Sequence, residues 1–372
     1  MKMITKLPSI CLVLLILSVF TNGAVFAQQT RSMSSKHVIL QFPAEREIWA
    51  RDLSAEAERC YEYMNRATNN GLTRNITVTL DWNSSENVWN FRLGRVSIGM
   101  NQPEASVDAR KFLRHNLPYG IARLGLINLS QGALREDTEF LFEGMAEILT
   151  HEYSHNSRGL EAAWVTAKLL DETKQLGLSL QRVWSEFSGG ISNHRNAAPG
   201  ITFLLTQREL NRDRLMKFFE ALRKNSLLNA LSAAFRAPAP ELENTWLKKV
   251  RSYEIPEEIT VQNSEAPVFL KIEQAADHAP AGQPVRLNLF IRDRDGDIYP
   301  ENVFIRDSRS GKTFQAQEAA AESDSDNEVF SYSVIIPVED NCPVGNYSFQ
   351  AIVIDDAGNL RQGEGTYSVV NQ

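Results

Sequence analysis

Five consecutive residues, His151-Glu152-Tyr153-Ser154-His155, form the HExxH pattern of zinc hydrolases. On a helix, two histidines four positions apart share one face and can bind a single metal ion. The adjacent glutamate can accept a proton from a metal-bound water while that water attacks a carbonyl carbon. The pattern therefore indicates a zinc site with His151 and His155 as ligands and Glu152 as general base.

The residues before the motif predict the helix that carries it. Apolar residues recur there at the spacing of a helix with one buried side. Glu152 projects into the middle of that side, where an uncompensated carboxylate is costly to bury. Glu143 and Glu147 precede the first histidine at four-residue intervals, so acidic and imidazole groups form a ladder along one flank. A metal-bound water would account for the buried carboxylate.

A third protein ligand must come from outside this helix. Glu143 lies two helical turns, about 12 Å, before His151, so one helix cannot supply both groups to one ion. Glu161 lies six residues beyond the second histidine, as in metzincins, although Gly159 is displaced from the glycine position of that group. Glu172 lies at a spacing like that of gluzincins. The sequence leaves the choice between Glu161 and Glu172 open.

A metal-free interpretation of the same histidines is also open. Imidazoles in the last turn of a helix favour the negative end of its dipole. The residues Asn156-Ser157-Arg158-Gly159 that follow predict the end of the helix. Under this interpretation, the two histidines only stabilise a helix terminus.

The first 27 residues are predicted to be a secretory signal peptide. Lys2 and Lys6 precede an apolar run over residues 10–20, and Val25-Phe26-Ala27 offers small residues before a cleavage point. The run is too short for a membrane span. We therefore expect an exported protein, periplasmic or extracellular, with no transmembrane span after signal cleavage.

Charge and cysteine content argue against two other classes of protein. The net charge is −7, and basic residues do not cluster with aromatic residues, so nucleic-acid binding is disfavoured. Cys60 and Cys342 remain after the signal and fall in different predicted domains, so a disulfide framework is not expected.

The hydrophobic pattern divides the mature chain into two domains. Residues 38–253 alternate short strand-like and long helical segments, which predicts an α+β domain with a small sheet and a helical bundle. Residues 254–266 are polar and rich in proline, as expected of a linker. Residues 267–372 alternate with period two, which predicts an all-β sandwich. The clearest alternating segments are 268–272, 285–291, 303–306, 332–336, 347–354 and 366–370.

The first domain resembles the peptidase MA-like, gluzincin-type domains of bacterial exported proteins. Residues 140–147, with the sequence FLFEGMAE, are similar to the "EGLAE" helix of that family, and residues 203–250 are similar to its closing helices. The resemblance implies a zincin-like fold. It also implies that Glu143, as the first glutamate of that helix, is the third zinc ligand.

The same resemblance places the HExxH helix earlier in the chain. The matching residues are His115-Asn116-Leu117-Pro118-Tyr119, so His115 would keep the first ligand. Asn116 cannot act as a base, Tyr119 replaces the second histidine, and Pro118 removes a helical hydrogen bond. The resemblance therefore implies a degenerate remnant site at His115 and Glu143.

The second domain resembles bacterial immunoglobulin-like modules. The stretch Val344-Gly345-Asn346-Tyr347 leads into a strand that ends at residues 355–359, with the sequence DDAGN, a hairpin common in such modules. Asp293, Asp295 and Asp297 could supply oxygen ligands to calcium. Their spacing differs from that of an EF-hand, and aspartate and glycine also favour turns that bind no ion.

Two functional hypotheses follow. The first is an exported zinc-dependent metallopeptidase that hydrolyses a peptide or protein substrate through a metal-activated water. The second is a catalytically inactive peptidase-fold protein that serves as an extracytoplasmic binding module for a surface partner. Zinc content separates the hypotheses, because only the first requires a metal held by the histidines.

Overall fold

The computed structural model describes most of the chain beyond the predicted signal peptide. It covers residues 30–371 except 91, 102–104, 106–108, 136, 156–157, 175–193, 211, 262–264, 295–297, 299, 317, 321–328 and 356. The signal peptide predicted over residues 1–27 lies outside the described part. Within that part, no helix combines the length and the apolar character needed to cross a membrane.

A five-stranded mixed sheet opens the described chain. Its strands are β1 (Thr30–Ser34), β2 (Val38–Pro43), β3 (Ile76–Asp81), β4 (Val88–Asn90) and β5 (Arg95–Gly99), and helix α1 (Glu47–Ala67) connects β2 to β3. The spatial order is β1-β2-β3-β5-β4. The three central strands run parallel, and both edge strands run antiparallel to their neighbours.

Alternating burial explains why these segments form strands. Ile76, Val78 and Leu80 of β3 are buried, whereas the intervening side chains are partly exposed. Strand β2 follows the same alternation through Val38 and Leu40. One face of the sheet therefore packs into the core, as period-two sequences require.

Seven helices complete the N-terminal part in the described residues. They are α2 (Ala109–Leu129), α3 (Glu139–Tyr153), α4 (Arg158–Lys174), α5 (His194–Leu210), α6 (Arg212–Ala221), α7 (Leu227–Phe235) and α8 (Ala239–Ser252). Helix α2 continues through Pro118, so the proline does not end it. The predicted α+β composition is confirmed.

Helix α3 lies in the middle of the bundle, which is why nearly all of its side chains are buried. It packs against both α2 and α5. A Cβ atom on Gly144 of α3 would lie 2.5 Å from the carbonyl carbon of Gly200 on α5. Only glycine permits this close approach of the two backbones, so the crossing fixes the position of α3.

Two predominantly antiparallel sheets form the C-terminal part. The strands are β6 (Val268–Gln274), β7 (Ala279–Pro280), β8 (Val285–Arg292), β9 (Val303–Asp307), β10 (Thr313–Gln315), β11 (Glu318–Ala320), β12 (Val329–Ile336), β13 (Gly345–Ile354) and β14 (Leu360–Val370). One sheet has the order β10-β9-β13-β14-β7 and the other β11-β12-β8-β6. Each of the six alternating segments identified in the sequence lies in a strand. Side chains from both sheets share one apolar core.

A third apolar cluster joins the two parts of the chain. Val165 and Leu169 of α4 pack with Phe304 of β9 and Ile352 of β13, and all four are fully buried. Buried apolar contact of this kind limits independent motion of two domains. The described elements of the first part end at Ser252 and those of the second begin at Val268; the predicted domain boundaries stay predictions.

Candidate functional site between helices α2 and α3

Two ladders of polar side chains face each other where α2 and α3 pack. Helix α2 contributes His115, Tyr119 and Arg123, each four residues from the next. Helix α3 contributes glutamates at the same interval, followed by a histidine. Its four residues are Glu139, Glu143, Glu147 and His151. Residues four apart share a helix face, so each helix presents one polar stripe to the other.

Arg123 organises the buried half of this interface. Its side chain is only 3 % exposed. The Nη1 atom donates to Glu143 Oε1 at 2.7 Å and to Tyr119 Oη at 3.0 Å, and Nη2 donates to Glu139 Oε1 at 2.8 Å. The guanidinium also lies 4.4 Å from the centre of the Trp89 ring, in a cation–π contact. The arginine therefore joins α2, α3 and the edge strand β4.

Burial and charge set the protonation states of this network. Burial acts to lower the pKa of Arg123, but Tyr119 and Glu143 outweigh it and hold that pKa above its ordinary value. Burial raises the pKa of Tyr119 well above its usual range, so the phenol stays neutral. Burial also raises the pKa of Glu143, while the ion pair with Arg123 acts in the opposite direction. The network thus contains a permanent cation.

A second set of contacts involves two histidines and a buried glutamate. His115 Nε2 lies 3.2 Å from Glu147 Oε1, and His151 Nε2 lies 3.8 Å from Glu147 Oε2. The ring centres of the two histidines are 6.0 Å apart. Glu147 is 4 % exposed. The carboxylate of Glu147 therefore lies between two imidazoles, one from each helix.

The His151 ring is packed against the start of α4. A Cβ atom on Gly159 would lie 2.1 Å from His151 Cε1, so only glycine leaves room for the imidazole. Beside the ring is a cavity of about 30 Å³, large enough for a water molecule. Ala162, Asp355 and Gly358 contribute to its lining, so the cavity lies between the two parts of the chain.

Glu152, the predicted general base, contacts a different set of neighbours. Its carboxylate forms an ion pair with Arg208 of α5. Tyr63 of α1 also donates to it, at 3.4 Å. These partners are unlike those of His151, which lies against Glu147 and Gly159.

The prediction that one helix carries both motif histidines on a shared face is wrong, because the helix ends before His155. Helix α3 ends at Tyr153, and Ser154 is its C-cap. His155 follows in the left-handed region, with φ of 54°, and is exposed. The backbone turns away before the second histidine, so helical spacing no longer relates its side chain to that of His151.

The two alternative third ligands lie on α4. Glu172 pairs with Arg306 of β9, at 3.0 Å from its Nε, and accepts a hydrogen bond of 2.8 Å from Thr313 Oγ1. The Glu172 carboxylate therefore ties α4 to the C-terminal part. Glu161 lies in the first turn of α4. Burial raises the pKa of Tyr253, and the charge of Glu161 adds to the effect.

These positions decide how well the residues fit zinc. The structure brings His115 and Glu143 to one helix interface, together with His151, but the Glu143 carboxylate is bound by Arg123. His155 and Glu172 do not join that interface. Zinc needs deprotonated ligands that converge at about 2.0–2.3 Å from the ion. The predicted ligands His151, His155, Glu161 and Glu172, and the remnant pair His115 and Glu143, stay predictions. The calcium prediction stays untested, because Asp295 and Asp297 lie outside the described residues; Asp293 is buried.

Sequence reasoning missed Arg123. Its signal was present in the regular interval of His115, Tyr119 and Arg123, which matches the interval of the acidic ladder on α3. Detecting it would have required pairing the two helices in antiparallel order, so that the arginine meets Glu143 and Glu139.

Comparison with known proteins does not assign the chain to a family. No protein-family model matches the sequence, and no curated protein matches it. Among solved structures, the chain is similar to the GspB Siglec domain with a TM-score of 0.23 and 15% identity, over 30% of this chain and 60% of that one. It is also similar to the N-terminal part of the bacterial S-layer protein SbsC, with a TM-score of 0.18 and 12% identity, over 71% and 63%.

A third similar structure is the Pseudomonas fluorescens alkylpurine DNA glycosylase AlkC, with a TM-score of 0.22 and 12% identity, over 88% of this chain and 99% of that one. The chain spans less than two thirds of each of the first two structures. TM-scores this low do not establish a shared fold.

Proposed function

We propose that this chain is an exported, catalytically inactive protein with a peptidase MA-like domain, and that it binds a peptide or protein partner. One observation carries the proposal. The Arg123 guanidinium contacts both Glu143, the position of the third zinc ligand in that family, and Tyr119, the position of its second histidine. A fixed organic cation thus stands where two ligands would hold a metal ion.

Electrostatic repulsion opposes binding of zinc beside the Arg123 guanidinium. Zinc at Glu143 would lie within a few ångströms of a guanidinium that remains protonated, and like charges at that distance repel strongly in a buried site. Arg123 is almost completely buried and is stacked on Trp89, so both its burial and its packing hold the guanidinium in place.

The position of the general base is also occupied by a group without acid–base chemistry. Asn116 takes the place of the glutamate in the family motif. Its Nδ2 donates to the Phe112 carbonyl oxygen at 3.0 Å, and its Oδ1 accepts from Asn87 Nδ2 at 3.3 Å. An amide is neither protonated nor deprotonated near neutral pH and cannot act as a general base, so this residue supports a structural role.

We also propose the finer fold assignments. A small mixed sheet with an antiparallel edge strand, followed by a helical bundle, supports a zincin-like first domain. Two sheets around one apolar core support an immunoglobulin-like second domain. The predicted signal peptide supports a periplasmic or extracellular location.

The edge strand β4 is the surface that we propose for the partner. Strand β4 is the last strand of its sheet, so one side of its backbone has no neighbouring strand among the described residues. Val88 is 52 % exposed, whereas Trp89 packs inward against Arg123 and Tyr119. An extended peptide can add to such an edge through backbone hydrogen bonds. The polar side chains at the α2–α3 interface would then hold β4, the peptide-binding strand, in position.

Selection of random linear peptides displayed on phage tests this proposal. The full chain is expected to enrich peptides, because its sheet edge can accept an added strand. Val88→Asp should reduce the enrichment, since it places a charge beside that edge. Leu228→Asp is the matched control, because Leu228 is similarly exposed, at 45 %, but lies on α7. Equal enrichment by both variants, or cleavage of the selected peptides in the presence of zinc, would refute the proposal.

A zinc-dependent metallopeptidase remains a second candidate. It is favoured by His115 and His151, which approach the same buried carboxylate of Glu147 from two helices. This hypothesis expects peptide hydrolysis that depends on added zinc and disappears in His151→Ala and Glu152→Gln.

A further inference from the structure

A separate group of three side chains that can bind metals lies where strand β2 begins, next to α1. His37 precedes strand β2, and Glu58 and Glu62 are four residues apart on α1. One ring nitrogen and one oxygen from each carboxylate all lie within 4.8 Å of one another. The group belongs neither to the HExxH motif nor to the α2–α3 interface.

The imidazole and one carboxylate are already held in position. The His37 ring stacks on Tyr61 with centres 4.7 Å apart and planes 7° apart. Tyr61 is buried, and its hydroxyl donates to the Leu72 carbonyl oxygen at 2.8 Å. The backbone N–H of His37 donates to Glu58 Oε2 at 2.9 Å, and Ser35 Oγ donates to the same oxygen. Such supporting contacts orient ligands in metal sites.

The charges of the group favour a cation. Glu62 is exposed and makes no hydrogen bond or ion pair with the residues that the structure describes. Two carboxylates four apart on a helix repel each other, and a divalent ion would offset this repulsion.

We propose that His37, Glu58 and Glu62 bind a divalent first-row transition ion, for which zinc is the probe. Imidazole nitrogen and carboxylate oxygen are ordinary ligands for zinc, at about 2.0–2.2 Å. Two ligands at that distance on a tetrahedral ion are about 3.3 Å apart. His37 Nδ1 and Glu58 Oε1 are now 2.5 Å apart, so they need to separate by only about 1 Å. The ion would join the turn between β1 and β2 to α1.

Isothermal titration of the metal-free full chain with zinc chloride tests this site. The wild-type chain is expected to bind one equivalent. Glu62→Gln should weaken binding at least about tenfold, the scale on which even outer contacts of a metal site act. Because Glu62 is exposed, this variant retains the fold. His37→Ala should weaken binding further, with folding checked by circular dichroism.

Two control variants distinguish this site from the histidines elsewhere. His278→Ala removes an exposed imidazole in the C-terminal part, and His115→Ala removes one at the α2–α3 interface. Both should bind zinc as the wild type does. Absence of binding in the wild type, or equal affinity in Glu62→Gln and the wild type, would overturn the assignment. Neither result would affect the proposal of peptide binding at β4.

Discussion

A single buried arginine determines what the α2–α3 interface can do. Arg123 bonds two glutamates and a tyrosine and covers the indole of Trp89. A buried ion pair contributes little net stability when intact, because desolvation of both charges offsets their attraction. Removing one partner is different, since it leaves the other charge buried without compensation. The residue is therefore structurally important, and we propose that it also excludes a metal.

We expect Arg123→Met to destabilise the protein by about 3–5 kcal/mol, since Glu143 then loses its buried counter-charge. Arg251→Met is the matched control. Arg251 also pairs with a carboxylate, but its side chain is 56 % exposed, and exposed pairs contribute about 0–1 kcal/mol. Urea unfolding followed by circular dichroism measures both changes. The double variant Arg123→Met/Glu143→Leu should lose less than the sum of the two single variants. A cost for Arg123→Met no larger than that for Arg251→Met would contradict this account.

At the scale of helices and strands, the sequence predicted element types well because these depend on local periodicity. The alternation in β3 and the six alternating segments of the C-terminal part specify strands whatever the partner strand is. The apolar pattern of α3 likewise predicts a helix with a buried side. These signals need no knowledge of distant contacts.

The end of α3 and the pairing of α2 with α3 could not be predicted in this way. The HExxH pattern assumes a helix through His155, but Ser154 caps it and the next residue adopts a positive φ. Whether a helix ends before or after such a residue depends on one turn of backbone hydrogen bonds, which periodicity does not resolve. The contact of Arg123 with Glu143 spans 20 residues and depends on how the helices pack.

At the scale of the whole molecule, the N-terminal and C-terminal parts of the chain share a buried apolar cluster. Phe304 of β9 is fully buried against α4 in the cluster that joins them, and Glu172 of α4 pairs with Arg306. The cavity beside His151 is lined from both parts. The C-terminal sheets thus support the helical bundle directly.

Because the two parts share this apolar cluster, we expect their unfolding to be coupled. All six tryptophans lie between Trp49 and Trp246, so tryptophan fluorescence follows the N-terminal part alone. Phe304→Ala, in the C-terminal part, should cost about 3–5 kcal/mol and move the fluorescence transition to lower urea concentration. Val344→Ala should leave it unchanged, because Val344 is 53 % exposed. A fluorescence transition that does not respond to Phe304→Ala would mean that the two parts unfold independently.

The central claim is that an arginine network excludes a catalytic metal from the α2–α3 interface. Elemental analysis of zinc in the purified full chain tests it most directly, with the wild type compared with His115→Ala, Glu143→Gln and His151→Ala. The account predicts that all four proteins contain the same amount of zinc, because any bound ion is held elsewhere. Loss of one equivalent in these variants, together with loss of peptide cleavage, would contradict it.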